Sequence, residues 1–393
     1  MRLFTCESCK SLLFFENTRC MTCNQPIGYC AEAARLVPLP QAEPVGDALA
    51  SVDVALPGGK SDKFLKCKNF SEHDTCNWLV RAADDQPYCI SCRLTEIIPD
   101  ISDVENRQAW AEVESAKRRL LYALRALRLP VVARSEDESV GLSFRFMRGT
   151  EAAPVMTGHA DGQITLNVAE ADAAYRENMR EKLGEAYRTV LGHLRHEIGH
   201  YYWDRLVRDG GRLAAFRAVF GDESQSYAAA IQRHYDEGPP AEWASSFISA
   251  YATMHPWEDW AETWAHYLHM LDTLETAKSH GLAVRVPGEG ERVSTDDLAL
   301  HDFEGLMSGW QAVTIALNSL SRSMGMKDVY PFVLREPVRA KLRFIHELIE
   351  QCAGKPFAIV EGAGSSESLN AQRASADAKP GKAASAAQPA PAH

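Results

Sequence analysis

Apolar residues recur at helical spacing through most of the chain beyond residue 104. The apolar positions of the first such stretch are Trp110, Val113, Ala116, Leu120, Leu121, Leu124 and Leu127. Their three- and four-residue intervals predict a helix that begins near Val104, after a linker and cap at 99–103, and ends at Leu129-Pro130. Similar patterns dominate from about 170 to 352, with interruptions at Pro239-Pro240 and at the glycine-rich residues 287–290.

Two shorter stretches alternate between apolar and polar residues, as strands do. They cover 140–147 and 163–168, and the second follows the turn pair Asp161-Gly162. The patterns predict an α+β fold in which residues 96–355 form a mainly helical domain with a small sheet. Residues 356–393 are rich in Ala, Ser and Pro without periodicity, which predicts a disordered tail.

Nine of the ten cysteines lie before residue 93, so residues 1–95 form a separate, cysteine-rich block. The first set is Cys6, Cys9, Cys20 and Cys23, and the second is Cys67, Cys76, Cys89 and Cys92. Paired CxxC turns that each supply two thiolates are typical of a zinc ribbon. We therefore predict a small β-rich zinc-ribbon domain with two structural four-cysteine zinc sites. The alternative is a single site that combines one pair from each set, and Cys30 and Cys352 are left over in either case.

Charge and apolar content restrict the class of protein. The net charge of −11 argues against a surface that coats nucleic acid, because phosphate binding needs clustered Lys and Arg. The chain shows no secretory signal and no apolar run approaching the roughly 20 residues that span a bilayer. These features predict a cytoplasmic protein that does not bind a membrane, in which cysteines hold metal as thiolates.

A candidate catalytic motif of the HExxH type is formed by His196-Glu197-Ile198-Gly199-His200. On a helix His196 and His200 lie on one face, one turn apart, and can bind one Zn²⁺ together. Glu197 is rotated by about 100° from His196 and suits a general base that takes the proton of an activated water. The helix is predicted from about Glu181 through Leu206. The strand at 163–168 is expected to lie beside the cleft and to pair with extended substrate.

A catalytic zinc site needs a third protein ligand besides the two histidines. Trp203 and Leu206 occupy the positions where a third-histidine motif would need glycine and histidine. A ligand from a downstream helix is the other common route, and residues 256–269 have the pattern of such a helix. One face carries Glu258, Glu262, His266 and His269, whereas the other is rich in tryptophan.

Glu262 is the preferred ligand, and Glu258 is the rival assignment. In the preferred arrangement Glu258 and His266 orient ligands or bind substrate. Asp259 would brace a ligand histidine or cap the helix, and His193 would be a packed or hydrogen-bonded residue. The candidate donors to a developing oxyanion are Tyr251, Tyr201, Tyr202, His255 and His269, and the sequence does not rank them.

Several segments carry a resemblance to a known family. In the first 95 residues they are Leu3-Phe4-x-Cys6-x2-Cys9, Leu13-Phe14-Phe15-Glu16-Asn17, Cys76-Asn77-Trp78-Leu79-Val80 and Cys89-x2-Cys92-Arg93. Beyond them they are Thr157-Gly158-His159-Ala160-Asp161-Gly162, Arg195 to Trp203 and His255 to His266. Over roughly residues 1–352 the chain resembles a bacterial family, named from its motif as zinc-binding metallopeptidases, with an N-terminal zinc-ribbon domain. The resemblance implies a zincin-like, gluzincin-like catalytic domain with Glu262 as a ligand.

The function predicted from these features is that of a zinc metallopeptidase, with one catalytic and two structural Zn²⁺ ions. Glu197 would act as general base in hydrolysis of a peptide or protein substrate. Two alternatives stay open: a zinc-stabilised adaptor module without turnover, and an amidase acting on a non-peptide amide. The zinc ribbon could in addition bind a protein partner.

Overall fold

Short antiparallel strands build the N-terminal part of the chain. The structure is a computed structural model that describes residues 1–41, 51–150, 152–177, 189–285 and 292–357. The strands are β1 (Phe4–Thr5) paired with β2 (Leu12–Leu13), β3 (Ile27–Cys30) paired with β4 (Arg35–Pro38), and the three-stranded sheet β5 (Val52–Ala55), β6 (Ser61–Lys66) and β7 (Leu79–Arg81). The predicted β-rich domain is confirmed.

A second sheet has four strands. They are β8 (Thr95–Ile97), β9 (Ser143–Met147), β10 (Gly158–Ala160) and β11 (Gln163–Asn167), in the order β10-β11-β9-β8. β8, β9 and β11 run parallel, whereas β10 returns antiparallel along β11. The predicted turn between β10 and β11 exists: Asp161 and Gly162 have φ values of 46° and 78°, the left-handed conformation that such tight hairpins require.

Helices make up most of the remaining chain. They are α1 (Val104–Ala126), α2 (Val190–Tyr202), α3 (Leu213–Phe220), α4 (Tyr227–Glu237), α5 (Pro256–Ser279), α6 (Phe303–Ser323) and α7 (Glu336–Cys352), with a hairpin of β12 (Ala283–Arg285) and β13 (Arg292–Ser294) between α5 and α6. The α+β class is therefore confirmed. Asp103 caps α1 by accepting from the backbone N–H groups of Glu105 and Asn106, as the predicted cap requires.

Some predictions fall on residues that the structure does not describe. The HExxH helix is predicted to begin near Glu181, but α2 begins at Val190, because Thr189 is extended and caps the helix by accepting from the N–H of Gly192. Glu181 itself lies outside the described residues, and so do the glycine-rich residues 287–290 and the tail from 358 onwards. At its other end α2 continues as π-helix over Trp203–Arg208. The predicted domain boundary at residue 95 coincides with the first residue of β8, a strand of the second sheet.

The helices α2 and α5 pack closely against each other. Trp260 of α5 donates from Nε1 to the carbonyl oxygen of Gly199 at 2.8 Å. A Cβ atom on Gly199 would lie 3.1 Å from the Cα of Ala261 and 3.2 Å from the Cβ of Trp264, so a larger residue fits only if the helices move apart by a few tenths of an ångström. The tryptophan face of α5 thus lies against α2, and the pair forms the scaffold on which both histidines of the motif and both candidate glutamates are placed.

The N-terminal domain docks on α1 and on the C-terminal half of α5. Phe15 packs edge-on against Tyr122 of α1 at a centroid distance of 5.2 Å. Tyr122 in turn donates to Glu275 of α5 at 2.9 Å, and Arg118 donates to the carbonyl of Thr75 beside the second cysteine set. No helix within the described residues has the length and apolar character needed to cross a membrane.

Candidate metal centre and active site

Three side chains from α2 and α5 converge on one point. The Nε2 atoms of His196 and His200 are 3.2 Å apart. One carboxylate oxygen of Glu258 lies 2.9 Å from Nε2 of His196, and the other lies 3.4 Å from Nε2 of His200. All three residues are buried, and Glu258 and His200 are fully enclosed. A carboxylate and two imidazoles in this arrangement offer three ligand atoms to a single ion.

The chemistry of these donors fits Zn²⁺. Imidazole nitrogen and carboxylate oxygen bind zinc at about 2.0–2.2 Å, so donors around one tetrahedral ion lie roughly 3.4 Å from each other. The observed separations of 2.9 to 3.4 Å come close to that value. Two histidines and one glutamate leave the fourth position of a tetrahedral ion for water or substrate, as in hydrolytic zinc sites.

Hydrogen bonds from further residues fix these ligands in place. Nδ1 of His196 lies 2.7 Å from Oε1 of Glu262, which leaves Nε2 of the same ring for the metal. Ser249 donates to the other oxygen of Glu262 at 2.6 Å, and Tyr227 donates to Glu258 at 2.9 Å. Burial works against the charge of Glu262, but the contacts with His196 and Ser249 outweigh it and lower the pKa of this carboxyl.

The geometry favours the rival assignment of the third ligand. Glu258 contacts both Nε2 atoms, whereas Glu262 contacts only Nδ1 of His196, on the far side of the ring. Because an imidazole cannot bind a metal through the nitrogen that donates to a carboxylate, this contact suits a residue that orients His196. In this geometry Glu258, the rival of the preferred Glu262, is the carboxylate that faces both Nε2 atoms.

The candidate base and the remaining predicted residues lie around this centre. Glu197 is buried on α2, directly after His196 and outside the three-ligand group. The ring of Tyr251 lies 6.0 Å from that of His196. His266, one turn beyond Glu262, contacts the hydroxyl of Tyr330 at 2.9 Å, and burial lowers the pKa of this histidine to about 4.

Other candidates for oxyanion binding have partners elsewhere. The hydroxyls of Tyr201 and Tyr202 donate to the carbonyls of Val140 and Pro130, at 2.7 and 2.9 Å. The imidazole of His255 caps α5, where Nδ1 accepts from the N–H of Trp257. Of the tyrosines considered, Tyr251 is thus the one placed beside the ligand face.

Two further predicted residues have contacts that suit packing and orientation. The first is His269, whose Nδ1 lies 3.4 Å from the guanidinium Nη1 of Arg195. Asp259 neither braces a ligand histidine nor caps the helix by the contacts seen; it pairs with Lys341 of α7 at 2.7 Å. Burial raises the pKa of Asp259 to about 7, although Lys341 acts in the opposite direction.

The strand next to the cleft differs from the expected one. β11, at Gln163–Asn167, is paired on one side with β10 and on the other with β9, so the expectation that this strand pairs with substrate is wrong. β10, which lies next to β11, is an edge strand of this sheet among the described residues. Its residue His159 lies with its ring parallel to that of His200 at 6.3 Å and accepts from the N–H of Gly162.

The cysteines form two separate clusters of four. In the first, Cys6 faces Cys23 at 3.8 Å and Cys9 faces Cys20 at 3.5 Å. In the second, the ligand atoms of Cys67, Cys76, Cys89 and Cys92 lie within 4.8 Å of one another, and all four residues are buried. Four thiolates in such a group suit a closed structural zinc site.

Comparison with known proteins places the chain in a family. Residues 106–348 match the family described as "Putative zinc-binding metallo-peptidase", and residues 3–103 match a zinc-ribbon domain. The chain therefore belongs to this metallopeptidase family. Uncharacterized proteins of Mycobacterium tuberculosis and Mycobacterium bovis are each 40% identical to it over 354 residues, which is 90% of this chain and 96% of the relative. No solved structure matches the chain.

Two residues outside α2 and α5 donate hydrogen bonds to Glu258 and Glu262, and the sequence did not predict either of them. Tyr227 belongs to α4, and Ser249 lies in the connection between α4 and α5. A tyrosine and a serine at those positions carry no spacing signal, because their contacts with Glu258 and Glu262 arise only from the folding of distant segments.

Proposed function

We propose that this protein is a zinc-dependent peptidase whose metal is held by His196, His200 and Glu258. The observation that carries the proposal is that the Glu258 carboxylate of α5 approaches the Nε2 atoms of both His196 and His200 on α2. Glu197, the candidate base, follows His196 directly on α2. Membership of the metallopeptidase family supports the same reaction class.

The residues divide the chemistry between them. A bound Zn²⁺ would supply Lewis acidity to a water molecule and to the scissile carbonyl. Glu197 takes the proton of the attacking water and transfers it to the leaving amine. Glu262 holds the Nδ1 proton of His196, while the phenol of Tyr227 fixes one oxygen of Glu258. Tyr251 is proposed as a donor to the oxyanion, because its ring is next to that of His196.

The experiment that tests this proposal replaces the base and leaves the metal ligands intact. In the zinc-loaded protein we expect Glu197→Gln to lower the rate of peptide hydrolysis by about 10²- to 10⁴-fold, because the amide cannot accept the proton. Zinc content, measured by mass spectrometry of the metal, should not change. Glu336→Gln on the exposed start of α7 is the matched control and should hydrolyse peptides at the wild-type rate.

The outcome also separates the alternatives. Wild-type protein that binds zinc and peptides without cleaving them would favour an adaptor module. Hydrolysis of small amides, with no peptide in a random library cleaved, would favour the non-peptide amidase. A Glu197→Gln variant that retains full activity would remove Glu197 from the role of base. The cytoplasmic location stays a prediction from the sequence, and so does a protein partner of the zinc ribbon.

A further inference from the structure

A third histidine, His193, lies on the metal-binding face of α2. His193 precedes His196 by three residues and Glu197 by four. Around the helix axis, the side chains of His196, Glu197 and His200 therefore all lie within about 60° of that of His193. His193 is placed one turn nearer to the N-terminus of α2 than the ligand His196. Its side chain is 16% exposed, in contrast to the 0% of His200.

Glu170 fixes the orientation of this imidazole. Nδ1 of His193 is in contact with a carboxylate oxygen of Glu170, a buried residue of the 3₁₀ turn Val168–Ala171 that follows β11. A carboxylate at Nδ1 keeps a proton on that nitrogen and turns the Nε2 edge of the ring away from itself.

Thr157 fixes Glu170 in turn. Its hydroxyl donates to Oε1 of Glu170 at 2.6 Å and accepts from the N–H of Asn167 at 3.2 Å. Thr157 directly precedes β10, and Asn167 ends β11. Residues at the two open ends of the β10–β11 hairpin, Thr157 and Asn167, thus hold the Glu170 carboxylate that orients His193. The same hairpin contains β10, the edge strand beside the metal centre.

We propose that His193 is a substrate-contacting residue, whose Nε2 edge binds a carbonyl or carboxylate oxygen of the substrate close to the scissile bond, and that Glu170 and Thr157 are its positioning residues. This inference rests on the proposed function, since it assigns the contact to a peptide lying along the metal-binding face. A histidine buried only for packing would not need a carboxylate that is held by Thr157, which is in turn held by the backbone of Asn167.

The test measures binding separately from turnover. The parent protein is the zinc-loaded Glu197→Gln variant, and the probe is a fluorescent peptide that the wild type cleaves, or a fluorescent random peptide pool if it cleaves none. His193→Phe should weaken the affinity for the probe at least tenfold, as measured by fluorescence polarisation. His193→Gln, which retains an N–H donor, should keep most of the affinity.

Metal content and melting temperature distinguish substrate contact from structural support. Both should match the parent in His193→Gln, and the metal content should match it in His193→Phe. Parent-like affinity in His193→Phe would overturn the proposal, and so would the absence of probe binding to the zinc-loaded parent. A wild type without turnover whose peptide binding still depends on His193 would contradict only the proposed peptidase activity.

The positioning residues are tested by a matched pair at one site. Thr157→Val removes the hydroxyl and should weaken probe binding, because Glu170 loses the hydrogen bond that holds it. Thr157→Ser keeps the hydroxyl and should bind like the parent. Equal affinities for the two variants would overturn the positioning role of Thr157.

Discussion

At the scale of single residues, the two glutamates of α5 differ in which nitrogen of His196 they reach. Glu258 contacts Nε2 and is fully enclosed, whereas Glu262 contacts Nδ1 and is partly exposed. Both residues are carboxylates, and they lie one turn apart on α5. Removing the charge from each should therefore have different consequences for zinc affinity.

We predict that Glu258→Gln and Glu262→Gln, two substitutions of the same size and charge change, separate these roles. Glu262→Gln should weaken zinc binding by about 10- to 100-fold, the usual effect of losing a partner of a ligand histidine. Glu258→Gln should weaken it further, because an amide is a poor substitute for an anionic ligand. Competition with a chelator measures both affinities. If Glu262→Gln loses zinc more completely than Glu258→Gln, Glu262 is the ligand.

Only part of this centre was predictable from the sequence. The pairing of His196 with His200 follows from local helix geometry, which a spacing of four residues determines. The choice between Glu258 and Glu262 depends on how far α5 is shifted along α2, and that shift is set by long-range packing around Gly199. The contact between Glu170 and His193 joins a turn after β11 to a separate helix, and no pattern along the chain predicts it.

At the scale of elements, the close approach of α2 and α5 keeps the ligands of both helices together. Gly199 allows this approach, with the backbone of Ala261 and the Cβ of Trp264 directly opposite. Neither group can rotate away, since a Cα and a Cβ move only with their helix. The glycine lies one residue before His200, so a change in helix separation also changes the distances among the ligands.

We predict that Gly199→Ala separates the two helices by a few tenths of an ångström and weakens zinc binding. Alanine favours the helix by about 1 kcal/mol over glycine. Crowding against an inflexible neighbour costs about 1–3 kcal/mol and should prevail. The melting temperature should fall by a few degrees, and zinc affinity should fall with it.

Gly305→Ala in α6 is the control for the element-scale prediction. The nearest atom to a Cβ at that position is the carboxylate oxygen of Asp302, at 3.0 Å, which caps the start of α6 by accepting from the N–H of Gly305, so any shift stays local to that helix end. This variant should therefore keep the wild-type zinc affinity. If Gly199→Ala also kept it, the close helix contact would have no part in holding the metal geometry.

Element packing also explains why the position of the strand at 163–168 within its sheet was predicted incorrectly. The residues 163–168 alternate clearly, and they do form a strand at Gln163–Asn167. The position of a strand within a sheet, however, depends on its partners, here the distant β9 and the short β10. With three residues, β10 is too short to give an alternating pattern of its own.

At the scale of the whole molecule, the second cysteine cluster connects the N-terminal domain to the four-stranded sheet. The second cluster is entirely buried, and its short helix Ile90–Arg93 leads directly into β8 of the four-stranded sheet. The first cluster is more exposed, with Cys23 at the surface. Because the binding energy of a structural zinc ion is folding energy, loss of either ion destabilises the segment around it.

We predict about three zinc ions per chain, and different effects for one serine substitution in each cluster. Cys89→Ser and Cys20→Ser should each lower the zinc content by one ion. Cys89→Ser should lower the melting temperature more, because the fully buried cluster stands between the ribbon strands and β8 and cannot replace its ion with solvent.

Loss of more than one ion from Cys20→Ser alone would indicate cysteine sites shared between the two sets. Equal melting temperatures would mean that the N-terminal domain does not support the four-stranded sheet through its second cluster, and that its docking relies on contacts such as those of Tyr122 with Phe15 and Glu275.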